Sequence, residues 1–270
     1  MTSAKQSEWA VPREVAVPRL LELHGGRLYG LSTRICRSPD EAEDLVQEVF
    51  LQAWRGWDQF AGRSTPFVWL YTIARHACQR MHRKRAGEPE HLDSLDDLLP
   101  FGEPQMAVLP PDADGLELQL RREDEECAGQ AIASLPLEFR MALVLKDIIG
   151  FSIQEVADIL GVKPGTVKTR VHRARLKVRK ALEAGLPRKA LPPTAYSEQV
   201  CLDLLQAKQE SLDRGVEMPN ADNIICERCH AVFATLDLAS GVCRSLGASE
   251  VLPGNLRAEL LKAMQAKGDC

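Results

Sequence analysis

Residues 152–182, SIQEVADILGVKPGTVKTRVHRARLKVRKAL, decide the fold expected of this chain. Ser152 and Glu155 have the spacing of a capping box, which starts a helix. Gly161 is a natural helix stop, and Pro164 suits the first turn of a following helix. The stretch therefore predicts two short helices around a tight turn, the first with an apolar face of Val156, Ile159 and Leu160.

The second of these helices is amphipathic and strongly basic. Its apolar residues recur at helical spacing and predict one buried stripe: Val167, Val171, Ala174 and Val178. Residues 163–180 contain eight Lys or Arg and no acid. This combination is typical of a helix-turn-helix whose second helix enters a major groove. The alternative is a solvated basic helix in an ordinary helical domain.

Composition favours a helical protein. The 270 residues carry a net charge of −4 and are 5% aromatic. The first thirty residues include Glu8, Arg13 and Glu14, which argues against a signal peptide, and no apolar run reaches the roughly 20 residues that span a bilayer. We therefore expect a cytoplasmic protein without a membrane partner. In that compartment the eight cysteines are expected to be thiols or metal ligands and not disulfides.

Charge and proline divide the chain into five segments. Residues 87–115 contain eight acids and no Lys or Arg, which predicts a flexible acidic linker. The expected architecture is all-α, with two small helical domains joined by that linker and a small helical C-terminal domain. The predicted boundaries are a first helical block 17–86, the acidic linker 87–116, a second block 117–185, a proline-containing linker 186–197 and a third block 198–268.

The first block opens with a second capping box. Ser38 and Glu41 supply it, and Pro39 takes the first helical position. The helix that follows, DEAEDLVQEVFLQAWRGW, has a predicted apolar stripe of Leu45, Val46, Val49, Phe50, Ala53 and Trp54.

The next segment of that block, FVWLYTIARHACQRMHRKR at 67–85, mixes aromatic and basic residues. Bases stack on aromatic rings and phosphates pair with cations, so the mixture fits single-stranded DNA. The alternative is that the aromatic residues belong to the core and the basic end is a solvated helix terminus.

The chain closely resembles the extracytoplasmic-function class of bacterial sigma factors. The resemblance lies in three segments, in this order: EDLVQEVFLQAWR, PFVWLYTIARHACQRMHRKR and LPLEFRMALVLKDIIGFSIQEVADILGVKPGTVKTRVHRARLKVRK. The resemblance covers about residues 17–184. It implies that the first block is sigma region 2 and the second is region 4, in a promoter-specificity subunit of RNA polymerase that is not an enzyme. Core RNA polymerase and promoter DNA are the implied partners.

The same resemblance implies roles for individual residues. Against polymerase it places Asp44, Gln47, Glu48 and Phe50. At the −10 element it places Arg63, Ser64, Thr65, Trp69, His76, Arg80, Arg83 and Lys84. At the −35 element it places Thr166, Lys168, Thr169, Arg170, His172 and Arg173.

The third block contains a paired-cysteine motif, Cys226-Glu227-Arg228-Cys229-His230. Two cysteines separated by two residues are the usual half-site for zinc. Cys201 lies upstream, and the fourth ligand stays open between Asp222, His230 and Cys243. A softer metal such as copper also suits thiolates.

The third block also resembles the zinc-binding anti-sigma domain, through YSEQVCLDLLQAKQESLDRG and CERC. By that resemblance Cys201, Cys226 and Cys229 are metal ligands, with Asp222 by position or His230 as the fourth. It implies regulation in cis, in which residues 198–268 mask polymerase- or DNA-binding surfaces. Metal occupancy or thiol oxidation would shift this masking, and both signs stay open: metal binding that inhibits and metal binding that activates.

Two other classes compete with this interpretation. An ordinary helix-turn-helix repressor needs a dimerisation or ligand domain and leaves EDLVQEVFLQAWR unexplained. A redox enzyme built on CERC needs the alternating strands and helices of a thioredoxin-like fold, which the sequence does not predict.

Overall fold

The structure is a computed structural model, and it describes residues 9, 11–36, 38–82, 91–99, 103–109, 117–218, 225–248 and 251–266. These residues form two compact units. The first unit comprises the described residues of 1–88, 154–164 and 247–270, and the second those of 89–153 and 165–246. The units follow spatial contacts, and the domain boundaries given above stay predictions.

The helices of the described chain are α1 Arg13–Ile35, α2 Pro39–Gly56, α3 Pro66–His82, α4 Leu95–Leu98, α5 Glu117–Ala133, α6 Leu137–Leu143, α7 Ile153–Leu160, α8 Pro164–Leu182, α9 Glu198–Arg214, α10 Glu227–Ala248 and α11 Gly254–Ala266. Short 3-10 turns lie at Trp57–Gln59 and Glu183–Gly185, and a π-helical turn at Val144–Ile148. Two strands, β1 Gln105–Ala107 and β2 Arg188–Ala190, pair antiparallel with Met106 opposite Lys189. Within the described ranges these are the only strands, so the all-α prediction is confirmed.

The first unit contains a bundle of α1, α2 and α3. The predicted cap of α2 is confirmed, because the Glu41 N–H donates to the Ser38 hydroxyl over 3.2 Å. The predicted apolar stripe of α2 is also confirmed, and its six residues are all buried. Ser38 therefore fixes where α2 begins, and the stripe fixes which face turns outward.

Aromatic side chains fill one end of this bundle. Trp57 lies 5.2 Å from the Phe60 ring and 5.8 Å from the Trp69 ring, between centroids. Tyr71 is fully buried, and burial raises the pKa of its phenol above the usual range. Of the aromatic residues of the 67–85 segment, Tyr71 therefore belongs to the core, whereas Phe67 and Trp69 are half-buried.

The turn between α7 and α8 has the predicted chemistry. Gly161 has a φ of +66°, a conformation that glycine adopts without steric cost. Its N–H donates to the Ala157 carbonyl over 2.8 Å, which closes α7. Pro164 is the first residue of α8, and the predicted stripe of α8 is buried at all four positions.

One apolar cluster of the second unit connects its C-terminal helices to α8 and to the linker. It joins α8, α9 and α10 to residues of the predicted acidic linker, through Leu176, Leu205, Phe233, Leu98 and Met106 among others. Cys201 and Cys229 belong to the same cluster. Residues 91–99 and 103–109 of the linker range thus have a defined course, which includes α4 and β1.

None of the helices in the described ranges is both long enough and apolar enough to cross a membrane.

Candidate nucleic-acid interface

The basic helix α8 presents the six residues that the sequence places at the −35 element. Thr166 and Thr169 are exposed, and the four cationic or ionisable side chains are half-buried. The Thr169 hydroxyl donates to the Gly165 carbonyl over 3.1 Å. Thr166 and Thr169 therefore mark the open end of the helix, near its N-terminus, which is the end that contacts base edges in helix-turn-helix proteins.

Helix α9 supplies carboxylates to α8. The Lys168 ammonium lies 3.6 Å from a Glu210 carboxylate oxygen, and His172 Nε2 lies 2.9 Å from Asp213 Oδ2. The hydrogen bonds and charges of His172 and Arg175 lower the pKa of Asp213 against the opposing effect of its burial. Two predicted DNA-binding residues are therefore paired with acids of the C-terminal block.

A buried ion-pair network lies behind this contact. Arg175 donates to both oxygens of Asp147 over 2.7 Å and lies 2.8 Å from Asp213. Its guanidinium also donates to the Gln209 side chain and carbonyl over 3.3 Å. Sequence reasoning missed Arg175. The available signal was its position directly after Ala174, a residue of the buried stripe of α8. The network joins α9 to α8 by charged groups that water does not reach.

Residues 91–99 bind the same helix along another side. The Lys177 ammonium lies 2.5 Å from the Asp93 carboxylate, and Arg173 donates to the Asp93 carbonyl over 2.8 Å. Arg179 and Lys180 donate to the carbonyls of Leu98 and Asp97. Arg170 pairs with Glu138 of α6. Among the predicted −35 residues, Lys168, Arg170, His172 and Arg173 thus all have partners within the chain.

In the first unit, the predicted −10 residues line the start and one side of α3. Arg63 and Thr65 are exposed beside Gly62, whose φ is +65°, and the Thr65 hydroxyl accepts the Val68 N–H over 3.3 Å. Ser64 and Trp69 are half-buried.

Further along α3, His76 is exposed, and partial burial with the nearby charges of Arg75 and Arg80 lowers its pKa. Arg80 lies 3.3 Å from Glu48 of α2. The structure therefore brings Arg63, Thr65, Trp69 and His76 together on one helix and its leading loop. Arg83 and Lys84 lie outside the described residues.

The predicted polymerase-binding residues lie on α2. Asp44 and Glu48 are exposed and Gln47 is half-buried. Phe50 has none of its surface exposed. Phe50 therefore anchors α2 in the core of the bundle and presents no surface to a partner.

The three cysteines that the sequence groups as ligands are neighbours in the second unit. The Cys229 thiol is buried at the start of α10, and burial together with its interactions with Cys226 and Cys201 raises its pKa to about 12. Hydrogen bonds from the backbone near Ala195, Arg228 and Cys229 lower the pKa of Cys226 although burial opposes them.

The three candidates for the fourth ligand differ in their surroundings. His230 is exposed, Cys243 is buried in α10, and Asp222 lies outside the described residues. In the ranges that the structure covers, no three ligating side chains converge closely enough to hold an ion as they stand.

Comparison with known proteins matches two family models to the first and second helical blocks. The family described as Sigma-70 region 2 matches residues 20–88, and Sigma-70, region 4 matches residues 125–178. RNA polymerase sigma-H factor of Pseudomonas aeruginosa is 33% identical over 158 residues, covering 58% of this chain and 81% of that protein. ECF RNA polymerase sigma factor SigW of Bacillus subtilis is 32% identical over 172 residues, covering 60% of this chain and 87% of SigW.

Among solved structures, the chain is similar to the sigma factor RpoE in complex with the anti-sigma factor NepR from Bartonella quintana. The identity is 28% and the TM-score 0.45, with 62% of this chain and 96% of that chain covered.

The matched regions and relatives define a class of transcription initiation factors. The chain belongs to the extracytoplasmic-function family of sigma-70 RNA polymerase sigma factors.

Proposed function

We propose that this sigma factor binds core RNA polymerase through α2, opens and reads the −10 element through α3 and its leading loop, and reads the −35 element through α8. The observation that carries the proposal is that the basic and polar residues of α8 lie inside the segment matched to region 4. Lys and Arg contacts to phosphate give affinity and salt dependence. Base-edge contacts by Thr169, Arg170 and Arg173 give discrimination, about 1–3 kcal/mol for each good bidentate pair.

We further propose that the C-terminal block restrains α8 in cis. The carboxylates of Glu210 and Asp213 lie beside Lys168 and His172, where the phosphates of bound DNA would otherwise lie. The apolar cluster that joins α9 and α10 to Leu176 holds those carboxylates in place. A promoter competes for the same cations. The apparent affinity for DNA is therefore the intrinsic affinity multiplied by the fraction of molecules in which α8 is free of these carboxylates.

A metal at Cys201, Cys226 and Cys229 is the proposed control of this restraint. Neighbouring thiols fit Zn²⁺ or another thiophilic ion, and a bound ion would fix the ends of α9 and α10 against each other. Ligation requires thiolates, so binding releases protons, above all from Cys229 with its raised pKa. His230, Asp222 or Cys243 would complete the ligand set.

In vitro transcription tests both parts of the proposal. Core RNA polymerase and a genomic promoter library are combined with the full chain, the variant Cys226→Ser and the control Cys127→Ser, and the metal content of each protein is measured. Cys127 is a half-buried cysteine of α5 and not a proposed ligand. We expect the wild type and Cys127→Ser to bind metal and to change their output on chelation, and Cys226→Ser to do neither.

The outcomes separate the two claims. Failure of all three proteins to initiate would overturn the proposed promoter recognition. Initiation by all three without metal binding would retain promoter recognition and overturn the metal-controlled restraint.

A further inference from the structure

Helix α11 packs against α1 and α2 in the first unit. Its apolar residues Leu256, Leu260 and Met264 recur every fourth position and are at most 2% exposed. Burial of such a stripe is the main source of free energy when a helix docks on a bundle. The apolar stripe is therefore what holds α11 in place.

Polar contacts orient α11 on the bundle. Arg257 lies 2.5 Å from Glu22 of α1. Gln47 Nε2 of α2 donates to Glu259 Oε2 over 3.4 Å. Gln47 is one of the residues that the sigma-factor resemblance places against polymerase, so α11 borders the surface that polymerase is proposed to use, on which Asp44 and Glu48 stay exposed.

The entry into α11 also fits α1 closely. A Cβ atom built on Gly25 would lie 2.9 Å from Leu252 Cδ2, a separation that real Cβ atoms do not show. The absence of a side chain at Gly25 therefore leaves room for Leu252 against α1. The chain that leads into α11 is seated on the same bundle as the helix itself.

We infer that α11 is an intramolecular latch that occupies the edge of the polymerase-binding face of α2 at Gln47 and has to leave before core RNA polymerase docks. This inference rests on the proposed function and adds a second restraint to it. The α9 contacts involve the DNA-binding helix in the second unit, whereas α11 packs on α2 in the first. The apparent affinity for polymerase is the intrinsic affinity multiplied by the fraction of molecules with α11 released, and that fraction is small.

The first test loosens the apolar stripe in the full chain. The double variant Leu256→Ala, Leu260→Ala removes buried methyl groups from the docked state and leaves α2 unchanged. We expect it to bind core polymerase at least about tenfold more tightly than the wild type, because the released fraction rises. The control is Lys262→Ala, an exposed position of the same helix, and it should leave the affinity unchanged.

A charge exchange tests the latch without disturbing the apolar seat. Arg257→Glu and Glu22→Arg each place like charges together, and each should tighten polymerase binding by about two- to fivefold, as expected for a half-exposed pair. The double variant restores an ion pair and should restore the wild-type affinity. Equal affinity for all four proteins would overturn the latch.

Hydrogen exchange of α11 separates the latch from the proposed function. Amides of residues 254–266 should be protected in the free wild type and should lose protection when core polymerase binds. Binding of polymerase with α11 still protected would overturn the latch and leave the sigma-factor assignment intact. Absence of polymerase binding by every variant would overturn the proposed function, and the latch with it.

Discussion

At the residue scale, the same chemistry that suits DNA also suits the chain's own acids. Lys168 and His172 were predicted from the sequence as −35 residues, and each lies beside a carboxylate of α9. The sequence shows that these residues lie off the apolar stripe. It does not show their partners, because Glu210 lies 42 positions from Lys168 in the numbering and an exposed charge carries no information about which distant charge it meets.

Substitution of Glu210 tests the pairing. Glu210→Gln keeps the shape of the side chain and removes the charge that faces Lys168, so the full protein should bind −35 DNA about two- to fivefold more tightly. Fluorescence anisotropy on promoter duplexes measures this, and the gain should shrink as salt screens the pair. Glu217→Gln makes the same change of net charge beyond the end of α9. An equal gain from both variants would show that only net charge matters.

At the element scale, caps and turns were the most predictable features. Ser38 and Gly161 act through contacts within a few residues, so local sequence is sufficient to place the ends of α2 and α7. The stripe of α8 was predictable for the same reason. Helix α11 has an equally regular stripe in Leu256, Leu260 and Met264. That periodicity predicts a docked helix, but the surface on which it docks depends on the shape of α1 and α2 and not on its own sequence.

Two glycines of the helix-turn-helix should respond to alanine with opposite signs. Gly161 has a positive φ, so Gly161→Ala should lower the free energy of unfolding by about 1–2 kcal/mol. Gly165 lies in the first turn of α8 with open space around its Cβ position. Gly165→Ala should therefore raise that free energy by about 0.4–1 kcal/mol.

Urea denaturation of the full chain measures both variants against the wild type. A loss of stability from Gly165→Ala would mean that a methyl group at that position disturbs a contact of the folded protein.

At the scale of the whole molecule, the sequence predicted the two sigma regions, which the family matches at 20–88 and 125–178 support, but it did not predict where the linker lies. Eight acids and five prolines between positions 87 and 115 are typical of a mobile segment. Residues 91–99 nevertheless lie along α8, because Asp93 meets Lys177 and Leu92, Leu98 and Leu99 join the apolar cluster. Composition describes the average character of a segment, whereas a few leucines and one aspartate are enough to hold residues 91–99 against α8.

Asp93 provides a test of this docking. Asp93→Asn removes the charge beside Lys177 and should let the free protein bind DNA about two- to fivefold more tightly, since the ion pair is partly exposed. Asp97→Asn is the matched control, because the Asp97 carboxylate accepts the Ser94 hydroxyl and only its backbone carbonyl meets α8. Unchanged DNA affinity in both variants would show that the linker does not shield α8.

The contact between Asp93 and Lys177 also sets a length. Between the end of α3 and Asp93 the chain has about ten residues, which extend to at most about 35 Å. The −10 and −35 elements are, by their names, about 25 base pairs apart, or about 85 Å of B-form DNA. With Asp93 held, the extended connection is shorter than this separation. Released as far as α5, it offers about 110 Å. If α3 and α8 bind the two elements as proposed, the contact of one aspartate with α8 limits the promoter spacing that a single molecule tolerates.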